Sequence, residues 1–282
     1  MNTLEIINLT KSYKNFSIKN INMTIPKNTI MGFVGPNGAG KTTLLKSILG
    51  ISKYDSGTIK FFGNDTKYIN SDVGSVMDFV VYEERWKVSG VEKFVKPYHE
   101  NWDASRFDNL LKQFSIDKSK KVKELSRGMS VKLMLAVALS HNAKILILDE
   151  PTSGLDITAR DEICNLLLDY VKIGGRSVLF STHIVEDIEK IANDVTYIAN
   201  GSIVISDTKE SLLTNYLNIE GSLDKITGDF LNIIIGSKRY SDRFKAIIHK
   251  ENLSKIANGL DISNANLSDL AICFNNEQNT VI

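Results

Sequence analysis

Short apolar runs rich in β-branched residues recur along the chain, with stretches of helical period between several of them. Residues 4–9, 18–25 and 58–62 carry strand patterns. In the second, Ile18, Ile21, Met23 and Ile25 give a partly two-residue alternation bounded by polar positions. Further runs at 30–34, 145–148, 177–181 and 195–198 predict buried strands, and the helical patterns between them predict a parallel sheet with crossover helices. The block 79–140 differs. Asp103 is placed to cap a helix over 104–114, where Phe107, Leu110, Leu111 and Phe114 recur on one face. Residues 131–139 are apolar nearly all round, as a buried helix is. These signals predict a helical subdomain inserted into an α/β core. From about residue 208 the composition shifts to Asn, Ser and Lys with apolar bursts such as 231–235, which predicts a small C-terminal α+β subdomain over 208–282.

Composition narrows the class. With 43% hydrophobic residues in 282, the chain has ample material for a core. Thirty-four basic against 33 acidic side chains leave a net charge of +1, so no global basic excess argues for a nucleic-acid partner. Cys164 and Cys273 are too few for a disulfide framework and read as packing thiols. The start, Met1-Asn2-Thr3-Leu4-Glu5, lacks the pattern of a signal peptide, and no apolar run approaches a membrane span. The expectation is a soluble, cytoplasmic chain.

The densest chemical signal is Gly35-Pro36-Asn37-Gly38-Ala39-Gly40-Lys41-Thr42, which satisfies G-x-x-x-x-G-K-[ST] between a predicted strand and a predicted helix over 42–49. Such a loop turns backbone N–H groups toward phosphate oxygens, in conformations a Cβ would hinder. Lys41 would set its charge between the β and γ phosphates of a nucleotide, and Thr42 would offer its hydroxyl to Mg²⁺. The helix start adds favourable positive potential. A second piece follows at Ile145-Leu146-Ile147-Leu148-Asp149-Glu150. Asp149, at the C-terminal edge of a buried strand, can hold Mg²⁺ through water. Glu150 is placed to orient or deprotonate a water attacking the γ-phosphate.

Three more segments occur in order: Leu125-Ser126-Arg127-Gly128-Met129, then Pro151-Thr152-Ser153-Gly154-Leu155-Asp156, then Ser181-Thr182-His183. Together with the first two, across residues 1–207, they resemble the ATP-binding cassette (ABC) family of transporter ATPases. The resemblance implies a P-loop NTPase fold, a RecA-like core with an antiparallel β subdomain. It also implies ATP hydrolysis with Mg²⁺ and a head-to-tail dimer, with itself or with another ABC ATPase. It further implies a separate transmembrane permease that holds the chain on the inner face of the membrane.

Residue by residue, Ser126 and Gly128 would contact the γ-phosphate of the ATP bound by the opposite subunit. Arg127 and Met129 depart from the family's usual Leu-Ser-Gly-Gly-Gln. Asp156 closes a loop that would cross beside the partner's phosphate loop, and His183 would contact the γ-phosphate and help place Glu150. Tyr13 would stack on adenine, and Thr43 would join the phosphate contacts of Gly35 to Thr42. Asp78 aligns with the position where the family has Gln or Glu, linking Mg²⁺ and water to the permease; a solvated loop aspartate is the other reading. Asp78, the segment Tyr98-His99-Glu100-Asn101-Trp102-Asp103 and the Leu-Ser-Arg-Gly-Met form look like bacterial exporters of antimicrobial or amphipathic peptides, including phenol-soluble modulin exporters. A soluble ABC ATPase acting on nucleic acid or protein assembly is the alternative, but the chain has one cassette and no heptad array. A kinase or GTPase fits less, since no Asn-Lys-x-Asp segment is present.

Overall fold

The computed structural model describes residues 2–65, 71–78, 82–226, 228–256 and 259–274. Its centre is a six-stranded sheet in the order β10-β9-β3-β8-β7-β6. The strands are β3 (Ile30–Val34), β6 (Val73–Val76), β7 (Ile145–Asp149), β8 (Ser177–Thr182), β9 (Asp194–Ala199) and β10 (Ser202–Thr208). Every residue of β3, β7 and β8 is buried. That explains why none of them alternates between apolar and polar positions, because a parallel strand covered on both faces has no solvent side to alternate with. β3 lies parallel to both β8 and β9, so the loop leaving β3 opens beside the loops leaving β7 and β8. Ligand clefts of open α/β sheets form at this carboxyl edge.

A second sheet, antiparallel in order β2-β1-β4-β5, packs on the first through β1 (Asn2–Tyr13), β2 (Phe16–Pro26), β4 (Ser56–Phe61) and β5 (Asn64–Asp65). The buried residues Leu4, Ile6, Ile18, Ile21 and Ile25 face Met31, Phe33 and Leu179 of the central sheet in one cluster. β1 runs well past the predicted 4–9, through register shifts that carry it to a tight hairpin pairing Tyr13 with Phe16. β10 and β5 were not legible as strands. β10 alternates exposed and half-buried positions at the sheet edge, and β5 has two residues, both exposed.

α1 (Lys41–Ile48), α5 (Ile157–Lys172) and α6 (Val185–Ile191) belong to the core, while α2 (Val88–Val95), α3 (Ala104–Gln113) and α4 (Arg127–Leu139) form the helical insertion. α3 begins where its pattern predicts, with the Asp103 carboxylate accepting from the Arg106 N–H at 2.8 Å. α4 buries every residue from Val131 to Leu139 except Lys132, and its C-terminal part packs on β6. Among the described residues, no helix is long and apolar enough to cross a membrane.

At the end of α4, His141 is buried, stacks on His99 at 4.0 Å between ring centroids, and lies 3.0 Å from the Ser71 carbonyl. Burial, then the neighbouring His99, lowers its pKa from 6.5 to about 4. The folded chain therefore prefers neutral His141. Its contribution to stability is whole above pH 6.5 and is lost as the pH falls toward 4. At about 1.4 kcal/mol per unit of pKa difference, the loss is on the order of 3 kcal/mol. Urea midpoints measured from pH 7 to 4 are expected to fall less steeply for His141→Gln; parallel curves would refute this.

The C-terminal part is a third sheet, antiparallel in order β12-β13-β11-β14, reached through α7 (Lys209–Asn215). Its strands are β11 (Tyr216–Ser222), β12 (Ile234–Tyr240), β13 (Arg243–His249) and β14 (Asp261–Asn264), with the short α8 (Gly228–Leu231) between β11 and β12. The apolar burst at 231–235 is thus a helix end running into an edge strand. Leu217, Ile219, Phe230, Phe244 and Ile248 give this sheet a cluster of its own. Its last helix, α9 (Leu267–Phe274), returns to the main core. Leu267, Leu270, Cys273 and Phe274 share a cluster with Val34, Ile188 and Tyr197. Both cysteines are buried thiols, with pKa pushed up by burial to about 11 at Cys164 and about 12 at Cys273.

Candidate active site

The loop from Gly35 to Gly40 joins β3 to α1. Gly40 has φ +110°, and a Cβ there would press on Ile18 at 2.5 Å; a Cβ at Gly35 would collide with the Ile198 carbonyl. Only glycine fits these positions. No side chain caps α1, so its first amides remain free to meet an anion.

Lys41 is 6% exposed. Its Nζ donates to the carbonyls of Gly35 at 2.7 Å and Pro36 at 3.2 Å, and lies 3.3 Å from Glu150 Oε1. Thr42 Oγ1 donates to Asp149 Oδ2 at 2.8 Å, while Ser181 Oγ donates to Oδ1 at 2.7 Å. Asp149 is fully buried, and that burial raises its pKa despite the two hydroxyls. A buried carboxylate supported only by neutral donors is a strong place for a cation. The oxygen chemistry of Asp149 and Thr42 suits Mg²⁺, which takes one or two protein oxygens and completes its shell with phosphate and water. Among the described residues no cluster of three or more His, Cys, Asp or Glu side chains that could hold a metal ion occurs.

Glu150 has φ +49°, in the left-handed region unfavourable to a side chain. Its N–H donates to the Ser181 carbonyl at 3.0 Å. Its carboxylate is held between Lys41 and His183, whose Nδ1 is 2.8 Å from Oε2.

A cleft of about 580 Å³ lies over these groups, lined by Pro36 to Gly38, Gly40 to Thr43, Asp78, Glu150 and Phe16. A neighbouring cleft of about 790 Å³ shares Phe16 and Pro36 to Gly38, and adds Ala39, Tyr13, Asn200 and Phe274. Tyr13 is half exposed there, its hydroxyl 3.1 Å from Ser52 Oγ. Ser126 caps α4, accepting from the Met129 N–H at 3.3 Å, and Asp156 caps α5, accepting from Ala159 at 2.9 Å. Neither of these, nor Gly128, lines the two clefts. Asp78 does line the smaller cleft, with its carboxylate bound by Arg127 at 2.6 Å.

Three contributors escaped the sequence reading. Ser181 holds Asp149, and its readable signal is a hydroxyl near the end of a strand that pairs with the Asp149 strand. Phe16, three residues after Tyr13, lines both clefts. Arg127 was noted as a departure from a pattern and proves to be a partner of Asp78.

Residues 18–153 match the ABC transporter family. The chain is also 32% identical over 227 residues to the lantibiotic transport ATP-binding protein SrtF of Streptococcus pyogenes, covering 77% of this chain and 98% of SrtF. The chain belongs to the ABC transporter ATPase family. The cassette is further 31% identical to the bacitracin transport ATP-binding protein BcrA of Enterococcus faecalis, over 71% of this chain and 68% of BcrA. In structure it resembles cbiO1 of Clostridium perfringens, part of the cbiONQ complex, with TM-score 0.63 and 27% identity over 76% of this chain and 91% of that one. A dimeric cassette bound to ADP and Pi shares the fold at TM-score 0.65 and 23% identity, over 73% and 98% of the two chains. The cassette is thus an ATP hydrolase on the P-loop NTPase fold.

Proposed function

We propose that this ATPase works as a head-to-tail dimer and powers a separate permease that exports amphipathic or antimicrobial peptides. A separation within the chain carries the dimer: the exposed start of α4, with Ser126 and Gly128, lies outside the chain's own phosphate cleft. A helix start attracts anions, so a second copy's γ-phosphate is the natural ligand for it. In this reading Gly35 to Thr43 cradle the phosphates and Tyr13 stacks on the base. Thr42 and Asp149 hold Mg²⁺, which would neutralise phosphate charge. Glu150 orients the attacking water, and His183 holds Glu150 in place. Asp156 fixes the loop that faces the second copy.

The peptide cargo rests on the kinship with SrtF and BcrA, whose names specify lantibiotic and bacitracin transport. The permease contact rests on the helical insertion. Of the large side chains at its start, Val81 lies outside the described residues. Val88 and Val95 are buried, and Tyr82 and Trp86 pack on the core. Phe94 and Tyr98 remain 51% and 73% exposed, in a ladder with Trp86 at ring separations of 4.9 and 5.7 Å. Exposed aromatic ladders mark interfaces. Phe94→Asp with Tyr98→Asp is expected to abolish copurification of a polytopic membrane protein with the tagged chain while preserving ATP hydrolysis by the chain alone. A cationic amphipathic peptide should then stimulate ATP turnover of the wild-type complex in proteoliposomes. Stimulation by nucleic acid instead would favour the soluble alternative.

A further inference from the structure

Arg127 follows the cap of α4, and its side chain joins three segments. Nη2 donates to Asp78 Oδ1 at 2.6 Å, and Nε donates to the Ser153 carbonyl at 2.8 Å. Its stem lies over Gly154, where an added Cβ would stand 3.3 Å from Nε. Asp78 is two residues beyond β6 and lines the phosphate-side cleft with Lys41, Thr42 and Glu150. One guanidinium therefore touches the start of the helix bearing Ser126 and Gly128, a charged wall of the cleft, and the loop that leads to Asp156.

Both members of the pair are about half exposed, and such pairs add little to stability. The arrangement has consequences for charge and position instead. Asp78 and Glu150 place two carboxylates on the wall of a cleft read as taking a polyphosphate, and Asp149 lies buried behind Thr42. Lys41 offsets Glu150, and two hydroxyls hold Asp149. Arg127 offsets Asp78. The second bond, to a backbone carbonyl, orients the guanidinium plane, which a lysine with a single ammonium centre could not reproduce.

We infer that Arg127 is a positioning residue of the hydrolytic cycle: it neutralises Asp78 at the cleft so that ATP can enter, and its bond to Ser153 sets the start of α4 and the following loop for turnover. The inference rests on the reading of this cleft as the ATP phosphate site. It separates two effects of one side chain. Losing the charge exposes Asp78 to the incoming triphosphate, which raises KM. Losing the Ser153 bond frees the helix start, which lowers kcat.

The test is the ATPase kinetics of the purified full chain at low and high salt. Arg127→Met should raise KM for Mg-ATP about five-fold and lower kcat, as removal of a binding charge and of a positioning contact does. Adding Asp78→Asn should return KM to within about two-fold of wild type while kcat stays low, a non-additivity expected of contacting residues. Asp78→Asn alone should not raise KM. Arg127→Lys should keep KM and lose kcat. The KM rise in Arg127→Met should shrink at high ionic strength, because exposed charges are screened. An unchanged KM in Arg127→Met, or a double variant with KM no lower than the single, overturns the inference. If Arg127→Met fails to fold, a raised KM in Asp78→Asn or an unchanged kcat in Arg127→Lys does the same. Glu150→Gln, assayed beside them, tests the underlying reading: persistent hydrolysis there removes the cleft itself, whereas its loss with additive Arg127 and Asp78 effects removes only the positioning role.

Discussion

Glu150→Gln is expected to bind ATP with nearly wild-type affinity and to hydrolyse it at least about a hundred-fold more slowly, the lower end of what a positioned general base contributes. The substitution keeps size and shape, so the left-handed backbone at residue 150 and its N–H bond to the Ser181 carbonyl persist. Only the charge between Lys41 and His183 disappears. Without it, no group in this position accepts the water proton, and the in-line geometry of phosphoryl transfer cannot substitute for that acceptor. With hydrolysis stopped, two copies should remain closed around ATP, visible as a dimer by size-exclusion chromatography in Mg-ATP and as a monomer in ADP. Turnover within about three-fold of wild type would remove Glu150 from the chemistry.

Lys41→Met has the second-largest expected effect, this time on binding. The Lys41 ammonium is buried, oriented by two loop carbonyls and paired with Glu150. A hydrogen bond to a charged group contributes about 1.5–3 kcal/mol, so losing the phosphate contact should weaken ATP binding roughly thirty-fold. The methionine also removes the ammonium that donates to the Gly35 carbonyl, while Pro36 keeps the Ala39 N–H, and losing that tie loosens the loop. Calorimetric titration of ATP into Lys41→Met and Glu150→Gln separates the two residues: the first should lose affinity and the second should keep it. Equal affinities in both would contradict the division of labour.

What was legible in the sequence is what short-range pattern encodes. The short apolar runs at 30–34, 145–148 and 177–181, none alternating with charged positions, announce strands covered on both faces, and they are β3, β7 and β8. The glycines before Lys41 announce a tight loop, in which a Cβ at Gly35 or Gly40 would collide with Ile198 or Ile18, and Asp103 announces the start of α3. These depend on residues a few positions apart, whose backbone preferences and burial face are fixed locally. The same patterns say which side of an element is buried but not what covers it. Thr42 meets Asp149 across 107 residues, Arg127 meets Asp78 across 49, and Tyr197 donates to the Ala271 carbonyl across 74. Each contact depends on strand order, which sequence periodicity leaves open. The sequence by itself therefore determined the glycine-rich loop before α1, the acidic strand end and the family resemblance. Only the tertiary structure decided that Asp78 is neutralised by Arg127, that Ser181 supports Asp149, and that α9 returns to the core, because side chains distant in sequence acquire neighbours only when the sheets are assembled.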